Sequence, residues 1–220
     1  MKNFIHTVIL LILLGMNPIT VSATPLPAYE GRGLYVSYCQ LCHGTTGKGD
    51  GPLAKAMKIS PADLTTTVRA RSDTFLLKTI TGKGRQTITG RDRHNILSDT
   101  MPEWKDIFSE SQLKSLIAYL RFLSNTKHDL MGDPMVGLQL YQKYCHVCHG
   151  VEGDGDGIMI KLIGIMPIDL TNSDETNHLN NEDLTKSILD GKGEFMPAWR
   201  GILSQSDVEA LVSYIRLLSH

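Results

Sequence analysis

Aromatic residues are scarce in this chain of 220 residues, at 6% of the total. Cysteine is scarcer still, with four residues, which is too few for a scaffold built from disulfides. Neither charge is in clear excess, since the formal net charge is −1, and this excludes the bulk basic surface of a nucleic-acid-binding protein. Glycine (20) and proline (9) stay below the levels of collagen-like or disordered chains. A folded protein of one or two domains is therefore expected.

Long apolar runs are absent apart from one at the amino terminus. The chain is mostly apolar over residues 4–16, and Pro18 follows. Val21 and Ala23 present the small or permissive side chains that a signal peptidase needs. This pattern predicts a secretory signal peptide over residues 1–23 and a periplasmic mature protein. An uncleaved anchor is the alternative, although a bilayer-spanning helix needs about 20 apolar residues.

The rest of the sequence is a tandem repeat. Residues 31–39 return 106 residues later as residues 137–145. The repeat predicts two domains, residues 24–128 and 129–220, joined near 125–134, where turn-forming and charged residues interrupt the helical pattern. Further matched segments are 42–44 with 148–150, 49–51 with 155–157, 61–64 with 167–170, 101–104 with 196–199, and 113–121 with 208–216.

The spacing of apolar residues predicts helices in both copies. An apolar stripe at helical spacing closes each copy, and no sustained strand alternation occurs, so we expect an all-α fold with long loops. Capping boxes are predicted at Ser109-x-x-Gln112 and at Ser206-x-x-Glu209. The stripes consist of Leu113, Leu116, Ile117 and Leu120 in the first copy, and of Val208, Leu211, Val212 and Ile215 in the second.

All four cysteines lie in two copies of the pattern Cys-x-x-Cys-His, which is the attachment signature of a c-type haem. Positions i, i+3 and i+4 share one helix face, so two thiols can bond to the haem vinyl groups while the imidazole ligates the iron. Two large haems would also compensate for the low aromatic content. The motifs comprise Cys39, Cys42 and His43, and Cys145, Cys148 and His149.

Two other interpretations of the cysteines remain open at this point. Paired Cys-x-x-Cys units of a zinc site are usually about 15–20 residues apart, whereas these units lie in separate repeats. A redox-active dithiol of the thioredoxin type is expected beside a βαβ pattern, and the sequence has none.

Two methionines recur at equivalent positions, each followed by proline and then, two residues later, by tryptophan. These are Met101 and Met196. A thioether ligand would close the sixth position of the iron and raise its reduction potential, and the proline would stiffen the loop that presents the sulfur. We predict both as distal ligands, with His94 as the alternative in the first copy. The other methionines are expected to be core or loop residues.

These motifs resemble the class I cytochromes c, and the tandem is similar to the soluble dihaem cytochromes of the c-four type. The resemblance covers residues 29–220. It implies that the first and last helices of each copy cross beside a haem. It further implies that His43 and His149 are the proximal ligands and that Met101 and Met196 are the distal ones.

Two features depart from the family pattern. In many relatives a proline after the haem motif supplies the carbonyl that accepts the proximal imidazole N–H. Pro52 matches that proline, whereas the second copy has Ile158. In addition, residues 85–100 stand where the second copy has only two residues. This insertion, with Arg85–His94 at its start, is expected beside the Met face of the first haem, either as a solvated loop or as a docking or gating element.

Charge is unevenly distributed between the two copies. Residues 24–128 carry 15 Lys and Arg against 9 Asp and Glu, whereas residues 129–220 carry 6 against 14. A basic end and an acidic end can each steer a partner of opposite charge, at rates that fall as salt rises. We therefore expect one redox partner at each lobe, with random divergence of two solvated surfaces as the alternative.

Together these observations predict an exported dihaem cytochrome that binds two covalent haem c groups and carries single electrons between respiratory donor and acceptor proteins. No catalytic residues and no nucleic-acid partner are predicted. One alternative is a bound electron-transfer subunit of a respiratory or dehydrogenase complex, which would then provide the contact with a membrane. The other is a haem enzyme, a peroxidase or a sulfur-compound dehydrogenase, with one displaceable axial ligand.

Overall fold

The computed structural model describes residues 27–82, 100–164 and 166–219. The predicted signal peptide (residues 1–23) and the insertion Arg85–His94, including the alternative ligand His94, lie outside these ranges. Within them the chain forms helices joined by loops, and its only β pairing is at two isolated bridges. The expected all-α fold is therefore confirmed. No helix of the described ranges is both long and apolar enough to span a bilayer.

The helices repeat in order between a first lobe (the described residues between 27 and 125) and a second lobe (those between 134 and 219). The first lobe contains α1 (Pro27–Tyr38), α2 (Gln40–His43), α3 (Pro52–Met57), α4 (Leu64–Thr67), α5 (Asp73–Ile80) and α6 (Glu110–Asn125). The second contains α7 (Pro134–Tyr144), α8 (His146–His149), α9 (Ile160–Ile163), α10 (Ser173–Thr176), α11 (Asn181–Asp190) and α12 (Gln205–Leu218).

Capping boxes start the last helix of each lobe, and the apolar stripes of both helices are buried as predicted. The box of Ser109 and Gln112 is confirmed at α6. The predicted box at Ser206 is wrong, because α12 begins two residues earlier: Ser204 accepts the Asp207 N–H and donates its own N–H to the Asp207 carboxylate. Ser204 and Ser206 are each followed by an acidic residue three positions later. The helix begins after Ser204, which is the repeat equivalent of Ser109.

Each core forms where the first helix of a lobe crosses its last helix, α1 on α6 and α7 on α12. A glycine at each crossing lets the two backbones approach. A Cβ on Gly31 would lie 1.8 Å from the Ser115 carbonyl oxygen, and one on the equivalent Gly137 would lie 2.1 Å from that of Ala210. No side chain fits at either distance, so the close crossing requires glycine.

The Gly31→Ala variant is therefore expected to lose about 1–3 kcal/mol of unfolding free energy, because the added methyl group forces α1 away from α6. Gly33→Ala is the matched control in the same helix, since a Cβ there meets no atom within 4 Å. That control should be neutral or stabilising by up to about 1 kcal/mol through helix propensity. Thermal unfolding of both variants tests this, and equal shifts would contradict the close crossing.

The two lobes contact each other through equivalent surfaces. The Tyr29 hydroxyl lies 2.8 Å from the sulfur of Met135, its own repeat counterpart, and the Tyr29 ring packs edge-on against Tyr214. Leu217 of α12 is fully buried in the apolar core of the first lobe. A residue that contacts its own counterpart marks a pseudo-twofold arrangement, as in an isologous dimer.

Candidate functional site

Buried tyrosines hold both Cys-x-x-Cys-His turns against the crossing helices. The Tyr35 hydroxyl donates to the carbonyl of Gly44 at 2.6 Å, and Tyr141 does the same to Gly150 at 2.8 Å. Both side chains are fully buried, and burial raises the pKa of each phenol. Each phenol therefore stays protonated and acts as a permanent donor that fixes the turn directly after the histidine.

The first cysteine of each motif is a partly buried, protonated thiol. Burial raises the pKa of Cys39 to about 12 and that of Cys145 to about 12. The four cysteines form no disulfide with one another. The described residues contain no group of three His, Cys, Asp or Glu side chains able to hold a metal ion. A zinc site therefore has no cluster of ligands within these residues.

The two motif histidines are neutral and have one ring nitrogen directed at a loop carbonyl. Burial lowers the pKa of His43 and of His149, which keeps both imidazoles unprotonated as metal ligands must be. The Nδ1 atom of His43 lies 3.3 Å from the carbonyl oxygen of Ala62. In the second lobe, the backbone of the equivalent Ile168 raises the pKa of His149 and so opposes the effect of burial. The buried Nδ1 atom of His149 makes no hydrogen bond within the described residues.

The expected acceptor at Pro52 is therefore wrong. Pro52 is the first residue of α3, where a proline suits a helix start, and the acceptor lies ten residues later at Ala62. Ala62 belongs to a segment that the sequence repeats, Pro-x-Asp-Leu. The replacement of Pro52 by Ile158 in the second copy therefore does not change the acceptor that faces the motif histidine, because neither residue supplies that acceptor.

The Pro-x-Asp-Leu segment is held rigidly in front of each histidine. Asp63 caps α4 by accepting the Thr65 N–H at 2.9 Å and the Thr65 hydroxyl at 2.6 Å. The Leu64 N–H donates to the carbonyl of Gly47, in the loop that follows His43. The second lobe repeats these bonds at Asp169, Thr171, Leu170 and Gly153. Both aspartates thus act as turn or cap residues, and their bonds set the position of the carbonyl.

Backbone bonds also fix the loop that carries Met196. Lys192 and Met196 exchange two backbone hydrogen bonds, and the Trp199 N–H donates to the carbonyl of Ile188 in α11. A Cβ on Gly191 would lie 2.4 Å from the Met196 carbonyl oxygen, so this tight turn requires glycine. In the first lobe the Trp104 N–H donates to the carbonyl of Ile80, which repeats the bond of Trp199.

An apolar cavity in the second lobe brings the predicted ligands together. Cys145, His149 and Met196 all line it. Its other walls are mostly apolar, which suits the macrocycle of a haem. The apolar walls are formed by Ile168, Leu170, Leu179, Leu184, Ile188, Leu211 and Ile215.

In the first lobe, Cys39 and Met101 both pack against the apolar core. His43 reaches that site on the turn anchored by Tyr35. The residues of both lobes therefore fit a haem. Cys42 and Cys148 each lie three residues after the first cysteine and directly before the histidine, on the short helices α2 and α8.

An arginine on the last helix of each lobe ties that helix to the far wall of the site, a role the sequence did not reveal. Arg121 donates to the carbonyls of Val68 and Arg71 and to Asp73. Arg216, which is fully buried, donates to the carbonyls of Thr176 and Leu179 and to Asn181, and burial lowers its pKa to about 10. The sequence contained one indication of this role, because Arg121 and Arg216 occupy equivalent positions in the two repeats.

Comparison with known families assigns one model to each half of the chain. Residues 28–124 match the family described as cytochrome c, and residues 132–215 match the family described as cytochrome c oxidase, cbb3-type, subunit III.

The curated relatives share about a quarter of their residues with this chain. A cbb3-type cytochrome c oxidase subunit FixP of Azorhizobium caulinodans is 25% identical over 86% of this chain and 59% of that protein. A subunit CcoP of Azospirillum brasilense is 24% identical over 86% of this chain and 61% of that protein. The chain thus spans about three fifths of the length of these relatives. Among solved structures, a reducing HAO-like protein complex of Kuenenia stuttgartiensis matches 87% of this chain and 96% of its own, at 26% identity and a TM-score of 0.36.

Proposed function

We propose that this chain, a tandem of two cytochrome c domains, carries single electrons between redox proteins. Domains of this family bind haem c covalently, so two domains carry two haems. As domain limits we propose residues 24–128 and 129–220, preceded by an export signal over residues 1–23. The mature protein would then act in the periplasm.

The proposed haem attachments are the two cysteines of each motif, and the proposed axial ligands are His43 with Met101 and His149 with Met196. The observation that carries this assignment is the cavity of the second lobe, where a partly buried thiol, a neutral imidazole and a thioether meet between apolar walls. In the first domain the Ala62 carbonyl, 3.3 Å from the Nδ1 atom of His43, would orient that imidazole. The backbone of the equivalent Ile168 acts on His149 in the second domain.

Each part of the site supports electron transfer rather than catalysis. A haem bound there supplies reversible one-electron chemistry. The neutral histidine and the methionine would hold the same six-coordinate iron in both oxidation states, so no ligand need leave. The apolar walls of the second-lobe cavity would keep water away from the haem.

A bound electron-transfer subunit of a respiratory complex is the second candidate. It is favoured by relatives that are themselves named as subunits of cbb3-type oxidases and that are longer than this chain. For either candidate we propose that the basic first lobe and the acidic second lobe receive different protein partners. Copurification with a larger complex would favour the subunit over the free carrier.

The optical spectrum of the purified protein tests the carrier function. Both haems are expected to be low-spin, to show the sulfur-to-iron charge-transfer band when oxidised, and to leave carbon monoxide unbound when reduced, because histidine and methionine close both irons. Imidazole-free buffer is needed so that no added ligand competes. A response to carbon monoxide from one haem would overturn the carrier assignment and support the enzyme alternative.

A further inference from the structure

A polar groove in the first lobe lies beside the chain segments that carry His43 and Ala62. It runs between α1, the loop after His43, α4, the end of α6 and the segment that leads to the second lobe. Its polar lining includes three cations, Arg32, Lys48 and Arg69, and one carboxylate, Asp129. It also includes five threonines, which are Thr45, Thr46, Thr65, Thr66 and Thr126.

The cationic lining is specific to the first lobe. The same fold places Leu138 where the first lobe has Arg32, Asp154 where it has Lys48, and Asn177 where it has Arg69. The wall that both lobes share is retained, with Tyr119, Leu123 and Ser124 matched by Tyr214, Leu218 and Ser219. The fold therefore does not need these three cations, and their presence calls for another explanation.

Two of the cations have no partner of their own. Neither Arg32 nor Lys48 forms an ion pair or a side-chain hydrogen bond within the described ranges, although Lys48 lies close enough to Asp63 to help lower its pKa. Arg69 is held by two bonds to the carbonyl of Ser124, which presents its guanidinium along the groove. The groove also contains His128, whose buried Nε2 atom has no hydrogen-bond partner within the described residues.

We propose that this groove binds an acidic segment of a redox partner protein. The inference rests on the proposed electron-transfer function and names the chemistry of one partner. Three cations on three separate elements, with Val36 and Leu123 among the lining, suit an extended chain with spaced carboxylates better than one small anion, which needs converging donors. Charge of this kind steers association and sets the binding orientation.

Docking there would bring the partner close to the first haem site. Thr45 and Thr46 follow His43 within three residues, and Thr65 and Thr66 belong to the α4 helix that directly follows Ala62. A segment bound in the groove thus lies against both chain segments that position the proximal histidine. Electron transfer to the first haem, rather than to the second, is the step this partner is expected to serve.

Isothermal titration calorimetry with a hexaglutamate peptide and the dihaem protein tests the proposal. Binding is expected to weaken as salt rises from about 0.02 to 0.5 M. The double variant Arg32→Gln/Lys48→Gln should bind about three- to tenfold more weakly, as two partly exposed charges allow. The control Lys55→Gln/Lys114→Gln removes the same charge outside the groove and should bind like the wild type. The triple variant R32L/K48D/R69N, which carries the residues of the second lobe, should lose binding entirely.

Several results would overturn the proposal. These are no hexaglutamate binding by the wild-type protein, an equal loss in the control, or competition by inorganic phosphate at the same concentration, which would indicate a small-anion site. Salt-sensitive self-association that the double variant abolishes would identify a second copy as the occupant. The haem spectrum of each variant distinguishes failure of the groove proposal from failure of the proposed electron-transfer function. An unchanged low-spin spectrum with no peptide binding refutes the groove proposal and leaves the electron-transfer function unaffected.

Discussion

Replacing Cys145 and Cys148 by serine is expected to halve the covalent haem content of the protein, from two haems per chain to one. Serine cannot form the thioether bonds, and the cavity of the second lobe then loses the group that its apolar walls surround. Haem per chain, measured by pyridine haemochrome absorbance against protein concentration, checks this directly. The second lobe should also unfold at a lower temperature than the first, because a ligand that binds only the folded state stabilises it.

The mirrored variant, Cys39→Ser/Cys42→Ser, is the matched control and should retain only the haem of the second lobe. The masses of the two fragments after limited proteolysis between residues 125 and 134 distinguish the variants, since each variant should carry its one haem on a different domain. Two haems per chain in either variant would show that the other motif, or another residue, holds both. A colourless product from both variants would instead mean that each lobe folds only when the other is loaded.

The repeat explains why so much of the fold could be predicted from the sequence. A pattern that occurs in both copies can be compared between them, so the last helices, their buried stripes and the capping box at Ser109 were all predictable. The error at Ser206 has a simple physical origin. Ser204 and Ser206 both precede an acidic residue by three positions, and local sequence alone does not choose between two starts of the same helix.

The details around each histidine were harder to predict because they belong to the backbone. The acceptor for His43 is the carbonyl of Ala62, and a carbonyl has no side-chain signature. The segment that holds it was visible as a repeated Pro-x-Asp-Leu, yet its distance from His43 depends on how the loop at Gly47 folds. Resemblance to a family pointed to the wrong proline because it matched residue type rather than position in three dimensions.

Contacts between segments that are distant in the sequence could not be predicted from it, for a related reason. The bonds of Arg216 join α12 to the stretch around α10 and α11, and the groove of the first lobe gathers residues from five parts of the chain. Both sets become visible only when equivalent positions of the two lobes are compared in space. That comparison separates what both lobes keep, such as the arginine on the last helix, from what only one lobe has, such as the cations at Arg32 and Lys48.

A second large effect is expected from Met196→Leu, which should open one of the two irons. Leucine fills nearly the same volume as methionine, so the apolar cavity stays packed, but it offers no sulfur to the sixth position. The reduced variant should bind carbon monoxide at one haem of two, lose about half of the sulfur-to-iron band, and show one reduction potential lowered by on the order of 0.2 V, out of the roughly 0.8 V that axial ligands span.

Met166→Leu is the matched control for this variant, because Met166 is 80% exposed and lies outside the cavity, and its spectrum and potentials should equal those of the wild type. Met101→Leu should produce the same loss at the other haem, so the double variant Met101→Leu/Met196→Leu should bind two equivalents of carbon monoxide. An unchanged band in Met196→Leu would assign the sixth position of that haem to another side chain. An unchanged band in Met101→Leu alone would favour His94 as the ligand of the first haem, and the two lobes would then differ in ligation as well as in surface charge.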